Sequence, residues 1–168
     1  MIEFIWHDGE PPKDMKVRQV YAVAFDETGR VLIKKQSAMF DGKMLHYGMF
    51  GGTPEDFDSD RIETLKREFL EEANTTLKDP IYLVGYQVVK GDGEDYVQLR
   101  MVAMIDKIGP KKPDPDCGKV HGRILTTPER AIELLSWGDA GKKTFLGAQK
   151  IAKEKFGIET TRFDEESV

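Results

Sequence analysis

Apolar residues recur along the chain with two spacings, one typical of strands and one typical of helices. Val17 to Phe25 is dominated by Val, Tyr and Phe and predicts a strand, and Val31 to Lys35 predicts a second. The residues between them form a turn signal in which Gly29 can adopt a positive φ, so we expect the two strands to pair as a hairpin. After a loop, Met44 to Phe50 is short, apolar and aromatic, and it runs straight into a glycine pair.

The rest of the chain predicts one helix, two strands joined by a turn, a short strand and two further helices. The helices are expected over Arg61 to Ala73, after Thr127-Pro128, and over Lys142 to Phe156, and the strands over Ile81 to Val89, Tyr96 to Ile105 and Arg123 to Leu125. Thr can cap the second helix, Pro suits its first position, and Gly138 is expected to end it. This order indicates a mixed α/β (α+β) layout and not the regular alternation of a doubly wound sheet.

The composition describes one acidic domain. The chain has 168 residues, with 25 Lys and Arg against 30 Asp and Glu, and a net charge of −5. We expect a single domain over residues 1–168, with an N-terminal extension at 1–16 and a flexible tail at 160–168. The acidic balance argues against general nucleic-acid binding, which needs a basic surface, but it permits small phosphorylated ligands held through a divalent cation.

The sequence leads us to expect neither export nor membrane insertion. Cys117 is the only cysteine, so no disulfide can form within the chain, which fits a reducing compartment. No apolar stretch approaches the roughly 20 residues needed to cross a bilayer, and the start lacks a secretory pattern. We therefore expect a cytoplasmic protein without membrane contact, and a homodimer remains open. We interpret Cys117 as a bystander thiol and the scattered His7, His46 and His121 as surface or structural residues.

The first predicted helix carries the most informative chemistry. At about 100° per residue, Glu68, Glu71 and Glu72 fall on one face, beside an apolar stripe. Like charges at this spacing repel one another unless a cation lies among them, and Mg²⁺ prefers such oxygen ligands. A solvated acidic face is the alternative interpretation of the same three residues.

Two segments together resemble the Nudix hydrolase family. The run from Arg67 to Glu72 matches the core of that family's box, Gly-x₅-Glu-x₇-Arg-Glu-U-x-Glu-Glu-x-Gly-U, in which U is bulky and aliphatic. Phe69 is aromatic where an aliphatic residue is usual. Gly51-Gly52 matches the opening glycine pair, and the resemblance in layout extends from about Val17 to Phe156.

The chain departs from this box in its loop and at its end. The loop before Arg67 is one residue longer than the pattern, and the first glutamate of the box falls near Asp58, Ser59 or Asp60. Asn74-Thr75 replaces the final Gly-U, and Asn tolerates the left-handed conformation used there. The resemblance therefore describes a divergent member that keeps its three metal glutamates.

The resemblance implies an α/β/α sandwich with a mixed sheet between helices. It further implies hydrolysis of a diphosphate bond in a nucleoside diphosphate linked to another group, X, with Mg²⁺ or Mn²⁺ as cofactor. The implied metal ligands are Glu68, Glu71, Glu72, the Gly51 backbone carbonyl and, through water, Glu55. Arg67 would orient the loop or a glutamate. Glu68 or Glu72 would accept the proton, with Glu94, from a later turn, as a weaker candidate for that general base.

Two other functions fit the same residues less well. A Nudix-fold nucleotide-binding module that has lost catalysis would explain the altered loop, although all three glutamates are present. An enzyme similar to isopentenyl-diphosphate isomerase would share the fold, but it needs an active-site cysteine early in the chain, and Cys117 comes late.

Overall fold

The computed structural model describes all 168 residues, which form nine strands and three helices. The strands are β1 (Glu3–Asp8), β2 (Val17–Phe25), β3 (Val31–Phe40), β4 (Lys43–Gly48), β5 (Phe50–Gly52), β6 (Thr75–Lys90), β7 (Tyr96–Ile108), β8 (Gly122–Thr126) and β9 (Glu166–Ser167). The helices are α1 (Arg61–Ala73), α2 (Pro128–Leu135) and α3 (Gly138–Ile151), and a π-helical segment, Ala152–Phe156, continues α3. No helix has the length and apolar character that a bilayer crossing requires.

One mixed sheet contains all the strands. Its order is β1-β6-β7-β2-β3-β8-β9, with β4 paired to β3 and β5 paired to β2. The central strands β2 and β7 are parallel, with Val17 beside Val97 and Phe25 beside Met104, and every other pairing is antiparallel. The mixed sheet and the α+β class are as predicted.

Helices cover both faces of the sheet. On one face, Leu65 and Phe69 of α1 pack against apolar side chains that include Val20 of β2. On the other face, α2 and α3 contribute a second cluster that includes Leu135 and Phe145. The α/β/α sandwich implied by the resemblance is therefore confirmed.

Local signals define α1, the helix that carries the glutamates. The Asp60 side chain accepts hydrogen bonds from the Ile62 and Glu63 backbone N–H groups, both at 2.9 Å, and so caps the helix. At the other end, Asn74 has a φ of 46° and its N–H donates to the Leu70 carbonyl. The predicted bounds of this helix are confirmed.

The hairpin predicted for β2 and β3 is confirmed at its turn, but the antiparallel pairing of the two strands is short. Gly29 has a φ of 78° and its N–H donates to the Asp26 carbonyl. Beyond this turn only Phe25 and Val31 pair, and β3 then pairs with β4 and β8. The reason is that β5 takes the hydrogen-bonding positions of β2 from Val20 to Ala22.

Both ends of the chain join the sheet as edge strands, which the sequence pattern did not predict. β1, inside the expected extension, pairs with β6 along its whole length. In the expected tail, Glu166 pairs with Leu125 of β8, and the buried Arg30 guanidinium lies 3.5 Å from an Asp164 carboxylate oxygen and 3.1 Å from one of Glu166. Two polar residues are too short a pattern to predict a strand.

Gly138 has a different role from the one expected. Ser136, with a φ of 54°, ends α2, and α3 begins at Gly138 itself. The last helix therefore starts four residues before the predicted Lys142.

Candidate active site

The acidic face of α1 meets the glycine pair of β5. Glu68 is buried, and a Cβ on Gly52 would collide with its carboxylate. Glu72 accepts a hydrogen bond from the Gly51 backbone N–H at 3.4 Å through Oε2, and one from Lys34 Nζ at 3.0 Å through Oε1. Gly51 has a φ of 141°, a conformation that favours glycine. Gly52 therefore leaves the space that the Glu68 carboxylate occupies, and Gly51 allows β5 to lie close to Val20 and Tyr21 of β2.

Arg67 ties the loop before α1 to the helix. Its Nε and Nη2 donate to the two carboxylate oxygens of Asp58, both at 3.0 Å, and Nη2 also donates to the Thr53 carbonyl at 3.0 Å. Its Nη1 donates to Glu68 Oε1 at 2.9 Å and to Glu71 Oε2 at 3.1 Å. These are the contacts of a residue that orients the loop and two glutamates.

Burial and charge shift the pKa values of this cluster. Burial raises the pKa of Glu68 to about 7, Arg67 opposes this rise, and repulsion from Glu72 and Glu71 adds to it. The hydrogen bonds from Arg67 hold the pKa of Asp58 well below its usual range, and the Glu55 N–H and Thr64 hydroxyl assist. Without a bound cation, the Glu68 carboxylate is thus costly to ionise, whereas that of Asp58 is stabilised.

A cavity of about 760 Å³ opens beside these carboxylates. Gly51, Gly52, Glu68 and Glu72 form one part of its wall, together with Lys34. A second part of the wall comes from β2, β6, β7 and the start of α3, and it consists of Gln19, Tyr21, Gln87, Gln98, Arg100 and Trp137. The cavity therefore joins an acidic part to a part lined by amide, guanidinium and aromatic groups.

Comparison with known protein families identifies this arrangement. The family model described as NUDIX domain matches residues 15–146, which is most of the chain. The chain belongs to the NUDIX domain family. No curated protein matches this Nudix domain.

Solved structures similar to this Nudix domain support the shared fold. A pyrophosphohydrolase from Bacillus subtilis, solved as a mutant, is 17% identical with a TM-score of 0.58, covering 92% of this chain and 87% of that one. A mutator MutT protein from Bacillus halodurans is 20% identical with a TM-score of 0.55, covering 77% and 81%. A NUDIX hydrolase from Nitrosomonas europaea is 16% identical with a TM-score of 0.59, covering 79% and 88%.

The predicted site residues of the Nudix domain fall into two groups. Glu68, Glu72, Gly51 and Glu55 line the cavity, whereas Glu71 lies outside the lining and is joined to the others through Arg67. Glu94 is exposed in the turn between β6 and β7, and its carboxylate lies 3.8 Å from Arg18. The structure therefore does not bring Glu94 to the cavity, and the roles of all these residues stay predictions.

The chemistry of the oxygen atoms in this cluster suits a hard divalent cation, although the ligand atoms of Glu68, Glu71 and Glu72 do not all lie within 4.8 Å of one another. Glu68 Oε2 and Glu71 Oε1 accept no hydrogen bond from the protein, because Arg67 bonds only the other oxygen of each carboxylate. Glu72 already holds a cationic group, the Lys34 ammonium. Carboxylate oxygens in this number suit Mg²⁺ or Mn²⁺, whose remaining positions are usually filled by water and substrate phosphates.

Sequence reasoning underestimated Asp58 and missed Lys34, although signals for them existed. Asp58 was one of three positions near the displaced first glutamate of the box, and its paired hydrogen bonds to Arg67 single it out. Lys34 stands at the predicted end of a strand, where a lysine is usually solvated, and only the folded chain brings it to Glu72.

The polar cluster at Arg100 was also missed. Gln98 and Arg100 stand at alternate positions in the otherwise apolar part of β7 before Asp106, so they share one face of the strand. That alternation was a usable signal for a polar group inside the fold.

Cys117 and His121 are less isolated than the sequence suggested. They lie with Asp114 in the loop between β7 and β8, and the three ligand atoms are within 4.8 Å of one another. Asp114 also accepts the Asp116 N–H at 2.9 Å, and its Oδ2 lies 3.0 Å from His121 Nε2. These hydrogen bonds explain the cluster as a set of contacts that stabilise the loop.

Proposed function

We propose that this Nudix domain is a Mg²⁺- or Mn²⁺-dependent hydrolase that cleaves a diphosphate bond in a nucleoside diphosphate linked to another group, X. One observation carries the proposal: Glu68 and Glu72 line a cavity beside the glycine pair, and the carboxylate cluster has oxygen atoms free for a cation. The cavity is within the size range of small-molecule sites.

Each charged group of the site has a part in this chemistry. A divalent cation bound there would offset the charge of the diphosphate and lower the pKa of a coordinated water. Glu68, Glu71 and Glu72 would hold it, with the Gly51 carbonyl and, through water, Glu55. A cation held by Glu72 would compete with the Lys34 ammonium, which could then pair with a substrate phosphate.

The proton acceptor is best sought among the carboxylates that line the cavity. Glu68 and Glu72 satisfy that condition, and Glu94 does not. Arg67 touches neither cavity nor substrate in this proposal. It holds the side chains of Glu68 and Glu71 in place while the loop through Asp58 stays fixed to the helix.

The test is a screen of nucleoside diphosphate derivatives with Mg²⁺, Mn²⁺ or EDTA, with released products separated by chromatography. We expect cation-dependent cleavage that Glu72→Gln lowers by about a hundredfold, because the substitution removes a charge that would hold the cation. Glu63→Gln is the matched control: it lies on the same helix, is exposed and has no side-chain partner. Direct Mn²⁺ binding, followed by electron paramagnetic resonance, should weaken in the first variant only.

Two results would contradict the proposal. Activity that survives Glu72→Gln unaltered would remove the metal-site assignment. Cation-dependent nucleotide binding without turnover of any derivative would favour the binding-module function. An isomerase that depends on Cys117 is disfavoured, since that residue is exposed and does not line the cavity.

A further inference from the structure

The second part of the cavity wall contains a buried guanidinium that no acidic side chain pairs with. Arg100 is 3% exposed. Its Nη2 donates to Gln87 Oε1 at 2.9 Å and to Gln98 Oε1 at 3.0 Å, and its Nη1 donates to the Leu99 carbonyl at 3.3 Å. All three acceptors are neutral, so they hold the guanidinium in place without balancing its charge.

The other two buried arginines have different surroundings: the buried Nη1 of Arg30 also has no hydrogen-bond partner, but carboxylates surround that guanidinium. Arg30 lies among three carboxylates, and Arg123 donates to three backbone carbonyls. Arg100 lines the cavity, and its buried Nε has no hydrogen-bond partner. Burial lowers the pKa of Arg100 to about 10, so the group is still protonated at neutral pH. A buried charge without a partner is strongly unfavourable and is retained mainly where function requires it.

The amides around Arg100 present donors to the cavity. Because the guanidinium only donates, Gln87 and Gln98 both turn their oxygen atoms towards it. The Gln98 amide nitrogen then donates to Gln19 Oε1. This leaves the amide NH₂ groups of Gln19 and Gln87 without a protein acceptor. A ligand that enters here therefore meets N–H groups and a positive charge.

The position of Arg100 relates this cluster to the diphosphate site. Gly51 pairs with Tyr21 across β5 and β2, and Tyr21 pairs with Arg100 across β2 and β7. The backbones of Gly51 and Arg100 are therefore two strand spacings apart, which is about 10 Å. The Tyr21 ring lies 4.9 Å and the Trp137 ring 5.6 Å from the guanidinium carbon, which fixes its plane.

We propose that Arg100, with the amide groups of Gln19 and Gln87, binds a further anionic group of the substrate, a carboxylate or a phosphate separate from the diphosphate. The inference rests on the proposed function, and it names the substrate class: nucleoside diphosphate derivatives that carry an additional negative charge on one of their two moieties. The oxyanion would accept from the amide NH₂ groups of Gln19 and Gln87 and would balance the charge of the Arg100 guanidinium.

Matched ligand pairs test this directly. UDP-glucuronate and UDP-glucose differ by a carboxylate, and NADP⁺ and NAD⁺ differ by a phosphate. Binding is read on mixing, before turnover, from the fluorescence of Trp137, with Trp6→Phe as the background so that Trp137 is the only tryptophan. The kcat/KM ratio within each pair is the second measurement. We expect the charged member of at least one pair to bind at least about tenfold more tightly than its counterpart. A preference in the first pair indicates a carboxylate site, and a preference in the second pair indicates a phosphate site.

Variants then assign the preference to Arg100. Arg100→Gln should bring the ratio within the responding pair close to one, Arg100→Lys should restore part of it, and Gln87→Leu should reduce it without changing any charge. Arg18→Gln, a half-exposed arginine on β2, is the matched control and should keep the full ratio. If Arg100→Gln does not fold, as judged by circular dichroism, the lysine and leucine variants decide the outcome.

The outcomes separate this inference from the proposed function. Equal binding of both members in both pairs overturns the inference, even if the protein hydrolyses them. A preference that persists in the folded Arg100 and Gln87 variants also overturns it. A preference that depends on Arg100, in a protein that cleaves none of the four compounds, supports the anion site and contradicts the hydrolase.

Discussion

Replacement of Asp58 by Asn should destabilise the protein measurably, because one carboxylate holds the loop and the helix together. Asp58 Oδ2 accepts from Arg67 Nη2, the Glu55 N–H and the Thr64 hydroxyl, and Oδ1 accepts from Arg67 Nε. An asparagine keeps most of these bonds if its oxygen takes the Oδ2 position. Its NH₂ group then faces the Arg67 Nε–H, and because both groups are donors this hydrogen bond is lost.

The size of the effect follows from the bond that is lost. A hydrogen bond to a charged group contributes about 1.5–3 kcal/mol, so we expect the free energy of unfolding to fall by that amount. For a chain of this length the melting temperature should fall by about 3–12 °C. The pKa of Asp58 is lowered in the folded state, so its contribution is complete above the unfolded pKa of about 4. It is lost progressively as the pH falls from there through the lower folded pKa.

Urea unfolding followed by circular dichroism at pH 7 and pH 3 measures this difference. Asp56→Asn is the control, since Asp56 is exposed in the same loop and has no side-chain partner. A double-mutant cycle that combines Asp58→Asn with Arg67→Gln should give a coupling energy above about 1 kcal/mol between the two side chains. The reasoning fails if Asp58→Asn stays within about 0.5 kcal/mol of the native chain, or if its effect is as large at pH 3 as at pH 7.

Two further predictions concern the helix that carries the site. Since the pKa of Glu68 is raised to about 7, the metal-free protein should lose about 1–3 kcal/mol of stability as the pH rises from 5 to 8. Urea unfolding in EDTA measures this loss. If the unfolding free energy depends on pH in the same way in Glu68→Gln, the prediction is wrong. Phe69 is fully buried with its ring centre 5.9 Å from that of Phe50, so Phe69→Ala should cost about 3–5 kcal/mol. Phe69→Leu should cost much less in the same assay, and equal losses would argue against a packing role.

The sequence predicted those parts of the fold that local signals determine. The bounds of α1 follow from a capping carboxylate at Asp60 and a left-handed residue at Asn74, and both act within one turn of the helix. The edge strands β1 and β9 were missed because their stability comes from partners far along the chain. The pairing of β3 depends likewise on β5, which competes for the same edge of β2.

The site was predictable to the extent that a motif encodes it. Glu68, Glu72 and Gly51 meet as expected, because helix periodicity and the glycine pair determine their positions. The position of Glu94 was not predictable in this way, because a turn signal does not show whether the turn lies at the end of the sheet that holds the cavity. The cluster at Arg100 depends on β2, β6 and β7 becoming neighbours, and no local pattern shows that.

The parallel pairing of β2 with β7 constrains the order in which the chain can fold. Val20 lies beside Leu99, and Ala24 lies beside Ala103, so these partners are separated by about 80 residues. The N-terminal half alone cannot complete the centre of the sheet, whereas β6 and β7 are joined by a short turn and can pair early. During synthesis, β2 therefore stays without its main partner until β7 has emerged from the ribosome.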